Sequence, residues 1–125
     1  MAALSSVTSF PIKTKQVCVD VNGICTDIVC RDFEDRIFIV VTQLQKLGTL
    51  VHISKDVLVA EDTQLTFTTK TLLGKDEPLI HVIARNIAVA LNTSKPIVLG
   101  LALRDTSRET TKTIENIILE NKVWG

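Results

Sequence analysis

Chemistry could sit in two places in this chain. The run from Leu72 to Val82, LLGKDEPLIHV, gathers Gly74, Lys75, Asp76, Glu77 and His81. A glycine followed by lysine can close a phosphate loop, and two carboxylates beside an imidazole can exchange protons or hold a metal. A phosphate loop needs the pattern G-x4-G-K-[ST], because several backbone N–H groups wrap the phosphates and a hydroxyl holds magnesium. Here Thr69 stands at the first glycine position and Asp76 follows Lys75. Asp76 would repel phosphate, and no glycine permits the wrap. The glycines stand alone at 23, 48, 74, 100 and 125, so no dinucleotide fingerprint exists either. Asp76 and Glu77 are sequence neighbours, whose side chains point apart. A strand-to-helix boundary explains every residue type in the run. Gly74 permits an unusual φ, and Asp76 can accept from the first helical N–H groups. Glu77 complements the helix dipole, and Pro78 belongs in the first turn.

The second place is Cys18, Asp20, Cys25 and Asp27, two thiols and two carboxylates on one face of an expected hairpin. A soft metal wants more thiolate or an imidazole, and a hard one wants more oxygens. No histidine is near in sequence, and Cys30 points to the opposite face, so the set reads as the polar outer face of an edge hairpin. The three cysteines include no CxxC pair and read as small buried hydrophobes of a reducing compartment. His52 falls on a strand and His81 in the first turn of a helix, and no G-x-S-x-G elbow is present. The chain reads as no enzyme, with no cofactor and no metal.

The elements that carry these groups follow from periodicity. Val17, Val19 and Val21 alternate with Gln16, Cys18 and Asp20, the period of a half-buried strand. Asn22-Gly23 then predicts a type I′ turn, pairing Val21 with Ile24, Val19 with Thr26 and Val17 with Ile28. Residues 36–43 are apolar on both alternating sets, as in a central strand. A turn over 44–48, a return strand over 49–54, a surface excursion over 55–64 and a fifth strand over 65–73 follow. Leu79, Ile80, Ile83, Ile87, Ala90 and Leu91 recur at helical spacing, with His81, Arg85 and Asn92 on a polar side. Residues 95–104 form a sixth strand, again apolar on both faces. Thr106-Ser-Arg-Glu109 has capping-box spacing and opens a second helix with Ile114, Ile117 and Ile118 inward. The fold class is α+β: one domain over 13–125, after a mobile arm over 1–12. It has a roughly six-stranded, mainly antiparallel meander sheet in the order β-β-β-β-β-α-β-α, with two helices on one face.

Composition narrows the function. The 125 residues carry 14 basic and 14 acidic side chains, a net charge of zero, without the basic excess that nucleic acid or an anionic membrane requires. Four Phe, one Trp and no Tyr offer little stacking surface for single strands. No run approaches the roughly 18 apolar residues of a membrane span, and the start lacks the marks of a secretory signal. The expected compartment is the cytoplasm, and the nucleus with it. Two helices cover one face of a six-stranded sheet and leave the other apolar in water, a larger patch than soluble monomers tolerate. A partner subunit is therefore expected there. Phe38, Val40, Val98 and Ala102 are the expected contacts, and His81 and Arg85, on the polar side of the first helix, are expected either as rim contacts or as solvated side chains.

Two stretches carry a resemblance: VVTQLQKLGTLV over 40–51, and TTKTLLGKDEPLIHV over 68–82 followed by Ala84, Arg85 and Asn86. From about Ile37 to Asn86 the chain resembles the proteasome assembly chaperone 3 family. The final strand and helix agree in type and length, including a Trp near the end, while the arm and the 55–64 segment depart from the family. The resemblance implies a non-enzymatic chaperone of 20S proteasome biogenesis, a heterodimer with proteasome assembly chaperone 4. It implies binding to α-type subunits, notably α5, on the side that later receives the β-ring, with release as β subunits arrive. A homodimer in the absence of that partner, a scaffold role in another complex, and a small-ligand carrier or enzyme are the competing readings.

Overall fold

The computed structural model describes residues 13–55 and 67–124. The expected arm over 1–12 and nearly all of the 55–64 excursion lie outside the described residues. Among the described residues six strands and two helices follow the expected order: β1 (Lys13–Val21), β2 (Ile24–Asp32), β3 (Ile37–Thr42), β4 (Thr49–Lys55), β5 (Phe67–Leu73), α1 (Pro78–Leu91), β6 (Ile97–Ala102) and α2 (Arg108–Glu120). No helix among the described residues is long and apolar enough to cross a membrane.

The β1–β2 hairpin forms in the expected register, Val21 opposite Ile24, Val19 opposite Thr26 and Val17 opposite Ile28. Asn22 (φ 51°) and Gly23 (φ 83°) supply the two positive φ angles that a type I′ turn demands. Asn22 also reaches across the molecule, its Nδ2 donating to Thr110 Oγ1 (2.8 Å), and that hydroxyl donates to Asp105 Oδ2 (2.5 Å). The turn is thereby tied to the start of α2.

The sheet is not a simple meander. Its order is β1-β2-β3-β6-β4-β5, with β6 inserted between β3 and β4 and running parallel to β3. All other neighbours are antiparallel. The two strands that are apolar on both alternating sets thus lie side by side in the centre, where neighbours on both edges shield them. The β3–β4 connection must therefore cross the end of β6. Gly48 (φ 74°) makes that passage possible, since a Cβ there would lie 2.1 Å from the Leu101 carbonyl oxygen.

One sheet face carries Ile28, Cys30, Ile37, Ile39, Val41, Val51, Ile53, Ile97, Leu99 and Leu101, which join the helices in a single core. Helix α1 contributes Ile83, Ala84, Ile87, Ala88 and Leu91; α2 contributes Ile114 and Ile118, and Trp124 closes one end. Leu79, expected inward, is 48% exposed, because the buried stripe of α1 runs through 83, 84, 87 and 88, and Leu79 falls beside it.

Both helix starts differ in detail from expectation. Glu77 is the N-cap residue of α1 and makes no side-chain cap bond, while Pro78 takes the first-turn position as expected. Asp76 does not cap the helix because its carboxylate is turned to Thr71 and His81. At α2 the cap is Ser107, one residue later than the capping-box reading, with its Oγ accepting from Thr110 N (3.3 Å). Asp105 accepts from Ser107 N (2.9 Å), and this Asx-type turn sets the helix start one residue on. At the other end of α1, Asn92 ends the helix in the left-handed region (φ 46°), as its position predicts.

Candidate functional site

Strand pairing places every residue of the second sheet face in cross-strand rows. One row runs Thr14, Arg31, Phe38, Val98, His52 and Lys70. The next runs Gln16, Val29, Val40, Gly100, Leu50 and Leu73, and a third begins Cys18, Asp27, Thr42 and Ala102. Among the described residues no helix lies over these rows. Val29, Phe38, Val40, Val98 and Leu50 form their apolar middle. Arg31 stands to one side and His52 and Lys70 to the other. That layout, apolar centre and polar margin, is the anatomy of a protein–protein interface.

The surface is shaped by its own loops. Leu47 folds onto Gly100, where a Cβ would come within 2.9 Å of the Leu47 Cδ1. Leu47 remains 38% exposed, adding an apolar knob. Phe33, in the β2–β3 turn, meets Phe38 edge to face with ring centroids 6.4 Å apart. Beneath these residues side-chain hydrogen bonds tie the frame together. Gln43 Nε2 donates to Thr26 Oγ1 (3.1 Å), and its Oε1 accepts from the backbone of Arg104 (2.9 Å) and Asp105 (3.1 Å). At the opposite end Lys95 Nζ grips both oxygens of Asp32 at 2.9 and 3.1 Å. Burial alone would raise the Asp32 carboxyl, but Lys95 and the Glu34 N–H outweigh it and hold it below the usual carboxylate range.

The sequence-predicted contacts divide. Phe38, Val40 and Val98 lie together in the middle of the helix-free face, each half-buried. Ala102 lies on that face but is 4% exposed, because residues of its own β3–β4 loop cover it, so it offers a partner almost nothing. His81 and Arg85 belong to the other layer. Arg85 is exposed. His81 is engaged within the chain: its Nδ1 meets Thr69 Oγ1 (2.6 Å), and its Nε2 meets Thr71 Oγ1 (3.2 Å) and the Asp76 carboxylate. The imidazole pins α1 to β5, and its bond holds the Asp76 carboxyl below the ordinary range, with help from Thr71. Leu50, Val29 and Leu47 were not singled out in the sequence. The alternation in β2 and β4 contained the signal for the first two, but only the strand order brings them beside Phe38.

Two other places could in principle do chemistry. Between α1 and α2 lies an open groove of about 640 Å³, lined on one side by Leu79, Val82 and Val89 and on the other by Lys112 and Glu115. Burial lifts the Glu115 carboxyl against the pull of Lys112, 3.9 Å away, but no histidine or thiol lines the groove beside it. On the β1–β2 hairpin, Cys18 and Cys25 are exposed, contrary to the reading of all three cysteines as buried; only Cys30 is. Period two decides this, since 18 and 25 share the helix-free face while 30 faces the core. Asp20 is turned away to accept from Gly23 N (2.7 Å), which leaves Asp27, among the described residues, as the carboxylate within reach of the thiols.

With this geometry in place, the comparisons with known proteins are specific. The family model for proteasome assembly chaperone 3 matches residues 39–121. A proteasome assembly chaperone 3 from Bos taurus is 38% identical over 116 residues, covering 90% of this chain and 95% of its own length. The Homo sapiens protein of that name is 37% identical over 115 residues, covering 90% and 91%. One from Nematostella vectensis is 38% identical over 116 residues, covering 85% of each. Among solved structures, a chain of a chaperone complex for yeast 20S proteasome assembly superposes with a TM-score of 0.64 at 12% identity. It covers 87% of this chain and 96% of its own, and at that identity the likeness speaks for the fold. A matched segment spanning most of the domain, and relatives aligned over nearly their whole lengths, leave one assignment: the chain belongs to the proteasome assembly chaperone 3 family.

Proposed function

We propose that this chain is a non-enzymatic chaperone of 20S proteasome assembly that works as a heterodimer with proteasome assembly chaperone 4. The pair binds α-type subunits, α5 first among them, promotes α-ring formation and is released before maturation. The observation that carries this reading is the helix-free sheet face. An unbroken apolar centre of Val29, Phe38, Val40, Val98 and Leu50, flanked by Arg31, His52 and Lys70, is built to be covered. Family membership supports a partner from proteasome assembly as that cover.

The mechanism proposed is steric. By burying part of an α-type subunit the dimer excludes wrong neighbours, and it leaves when a larger competing interface forms. No nucleotide is required, and the site of action is the cytoplasm, with the nucleus as a second compartment. The test is co-expression of the chain with proteasome assembly chaperone 4 and α-type subunits, followed by size measurement and mass spectrometry. A one-to-one chaperone pair that retains α5 is the expected result, and Phe38→Asp abolishes the pair. A wild-type pull-down without α-type subunits would direct attention to a scaffold in another complex. A Phe38→Asp chain that still pairs would overturn the assignment of the face.

A further inference from the structure

The hairpin thiols play no part in the function proposed above. Cys18 Sγ and Cys25 Sγ lie 2.9 Å apart, both exposed, on strands whose register is fixed by a two-residue turn and nine paired positions. Cys18 stands directly opposite Asp27 and Cys25 opposite Asp20, so the two thiols meet along a diagonal of the sheet. We propose that Cys18 and Cys25 form a reversible cross-hairpin disulfide, made by exchange with a small-molecule disulfide of the glutathione type, at the margin of the helix-free face.

The geometry favours a sulfur–sulfur bond over a shared metal. Two thiolates on one tetrahedral ion, each at about 2.3 Å from it, sit about 3.7 Å from each other. The observed separation is already shorter, on the way to the roughly 2.05 Å of a disulfide. The donor set is also thin, because Asp27 is the third ligand and Asp20 is held in the turn. Cys30 serves as an internal control, since it lies on the other face at 0% exposure.

Hydrogen bonding to the Cys25 sulfur and to the Asp27 carboxylate pushes the Cys18 thiol up to about 12. Exchange can open at either exposed sulfur, and the two routes balance alike; on one of them Cys25 attacks first. Its thiolate joins one sulfur of the small disulfide, whose S–S bond breaks, and the first small thiolate departs and takes up the proton that Cys25 released to solvent. Cys18 then gives its proton to solvent through Asp27 and attacks the Cys25 sulfur. The Cys18–Cys25 bond forms, the mixed disulfide breaks, and the second small thiolate leaves and is protonated. Two protein thiols are oxidised, and one small disulfide is reduced to two thiols. The product staples the edge strand β1 to β2.

The experiment incubates the full chain with reduced and oxidised glutathione at graded ratios, then alkylates under native conditions and reads intact and peptide masses. The expected result is a mass loss of two hydrogens, loss of two alkylation sites at Cys18 and Cys25, and full reversal by dithiothreitol. Cys30→Ser should keep this behaviour. Cys18→Ser and Cys25→Ser should each lose it and carry a single glutathione adduct instead. Both replaced side chains are exposed, and unchanged circular dichroism confirms that these variants fold. Wild-type protein that stays doubly alkylatable at the most oxidising ratio would overturn the proposal. So would one that accumulates adducts without the internal bond, or one that retains Zn²⁺ through gel filtration only while both thiols are present. None of these readouts depends on proteasome subunits, so the inference stands or falls apart from the function proposed above.

Discussion

The two faces of the central sheet are made of the same kinds of residue and end in opposite states. Ile37, Ile39, Ile97 and Leu99 lie at 0–2% exposure beneath α1 and α2. Their immediate neighbours Phe38, Val40 and Val98, one residue along the same strands, remain half open to solvent. Strand chemistry cannot explain the contrast, because both alternating sets are apolar. Topology does: both helices pack on the side that holds the core, and no described element packs on the other. Hydrophobicity thus measures how much cover a strand demands, and connectivity decides whether the chain provides it itself.

Substitutions can break or sharpen this contrast. The largest effect on the chain's own stability belongs to the covered face. Leu99→Ala, in the middle of β6 at 0% exposure, should cost about 2–5 kcal/mol, read as a lowered urea midpoint with an unchanged slope. Next comes the loop that crosses β6. Gly48→Ala sets a side chain at φ 74° against the Leu101 carbonyl and should cost about 1–3 kcal/mol. If its melting point is unchanged, the crossing is looser than described.

A smaller effect belongs to Asp32, whose ion pair with Lys95 braces the end of β2 where both faces meet the loops. Lys95 is 31% exposed, so solvent screening limits the loss in Asp32→Asn to about 1 kcal/mol. Its pH dependence has a definite sign. The folded carboxyl is held below its ordinary value of about 3.9. The stabilisation is therefore complete above that ordinary value and disappears as pH falls through the lower folded one. The gap between wild type and Asp32→Asn should be constant from neutral pH to about 5 and close on further acidification. Asp76 and Asp105, also held low, titrate in both proteins and leave the difference to Asp32. The smallest effect on the isolated chain should be that of Phe38→Asp, about 1 kcal/mol or less, since the new carboxylate faces Arg31 across the strands. The same substitution should abolish pairing. A Phe38→Asp chain that unfolds like Leu99→Ala would erase the distinction between the faces.

Much of this was legible in the sequence, for local reasons. The Asn22-Gly23 turn fixes its own register, and the double apolarity of residues 36–43 and 95–104 marks two strands in need of cover on both faces. Helical spacing located both helices. What was illegible depends on contacts distant along the chain. Nothing local says that β6 separates β3 from β4, so Leu50 and His52 could not be placed beside Val98. Asp76 has the chemistry of a helix cap, yet His81, one turn into the helix, competes for the same carboxylate. Cys18 and Cys25 were assigned to the outer face by alternation and to the interior by residue type, and alternation was the better guide. Phe38, Val40 and Val98 were found together because burial on both alternations needs only one strand at a time.

The position of β6 has a consequence for how the chain comes into being. Synthesis delivers β1 through β5 before the strand that joins them, so this strand order predicts a growing chain that can pair only β1–β2–β3 and β4–β5, as two separate pieces. Each piece ends in an unpaired edge, β3 on one and β4 on the other, of the kind that invites pairing with other chains. Only when residues 97–102 have left the ribosome can the gap be filled, from one side in parallel and from the other antiparallel. The sheet is therefore completed late, through contacts far apart in sequence, and any truncation before β6 should yield an aggregating product and not a smaller domain. A protein that guards the assembly of others passes through its own vulnerable stage last, when its keystone strand arrives.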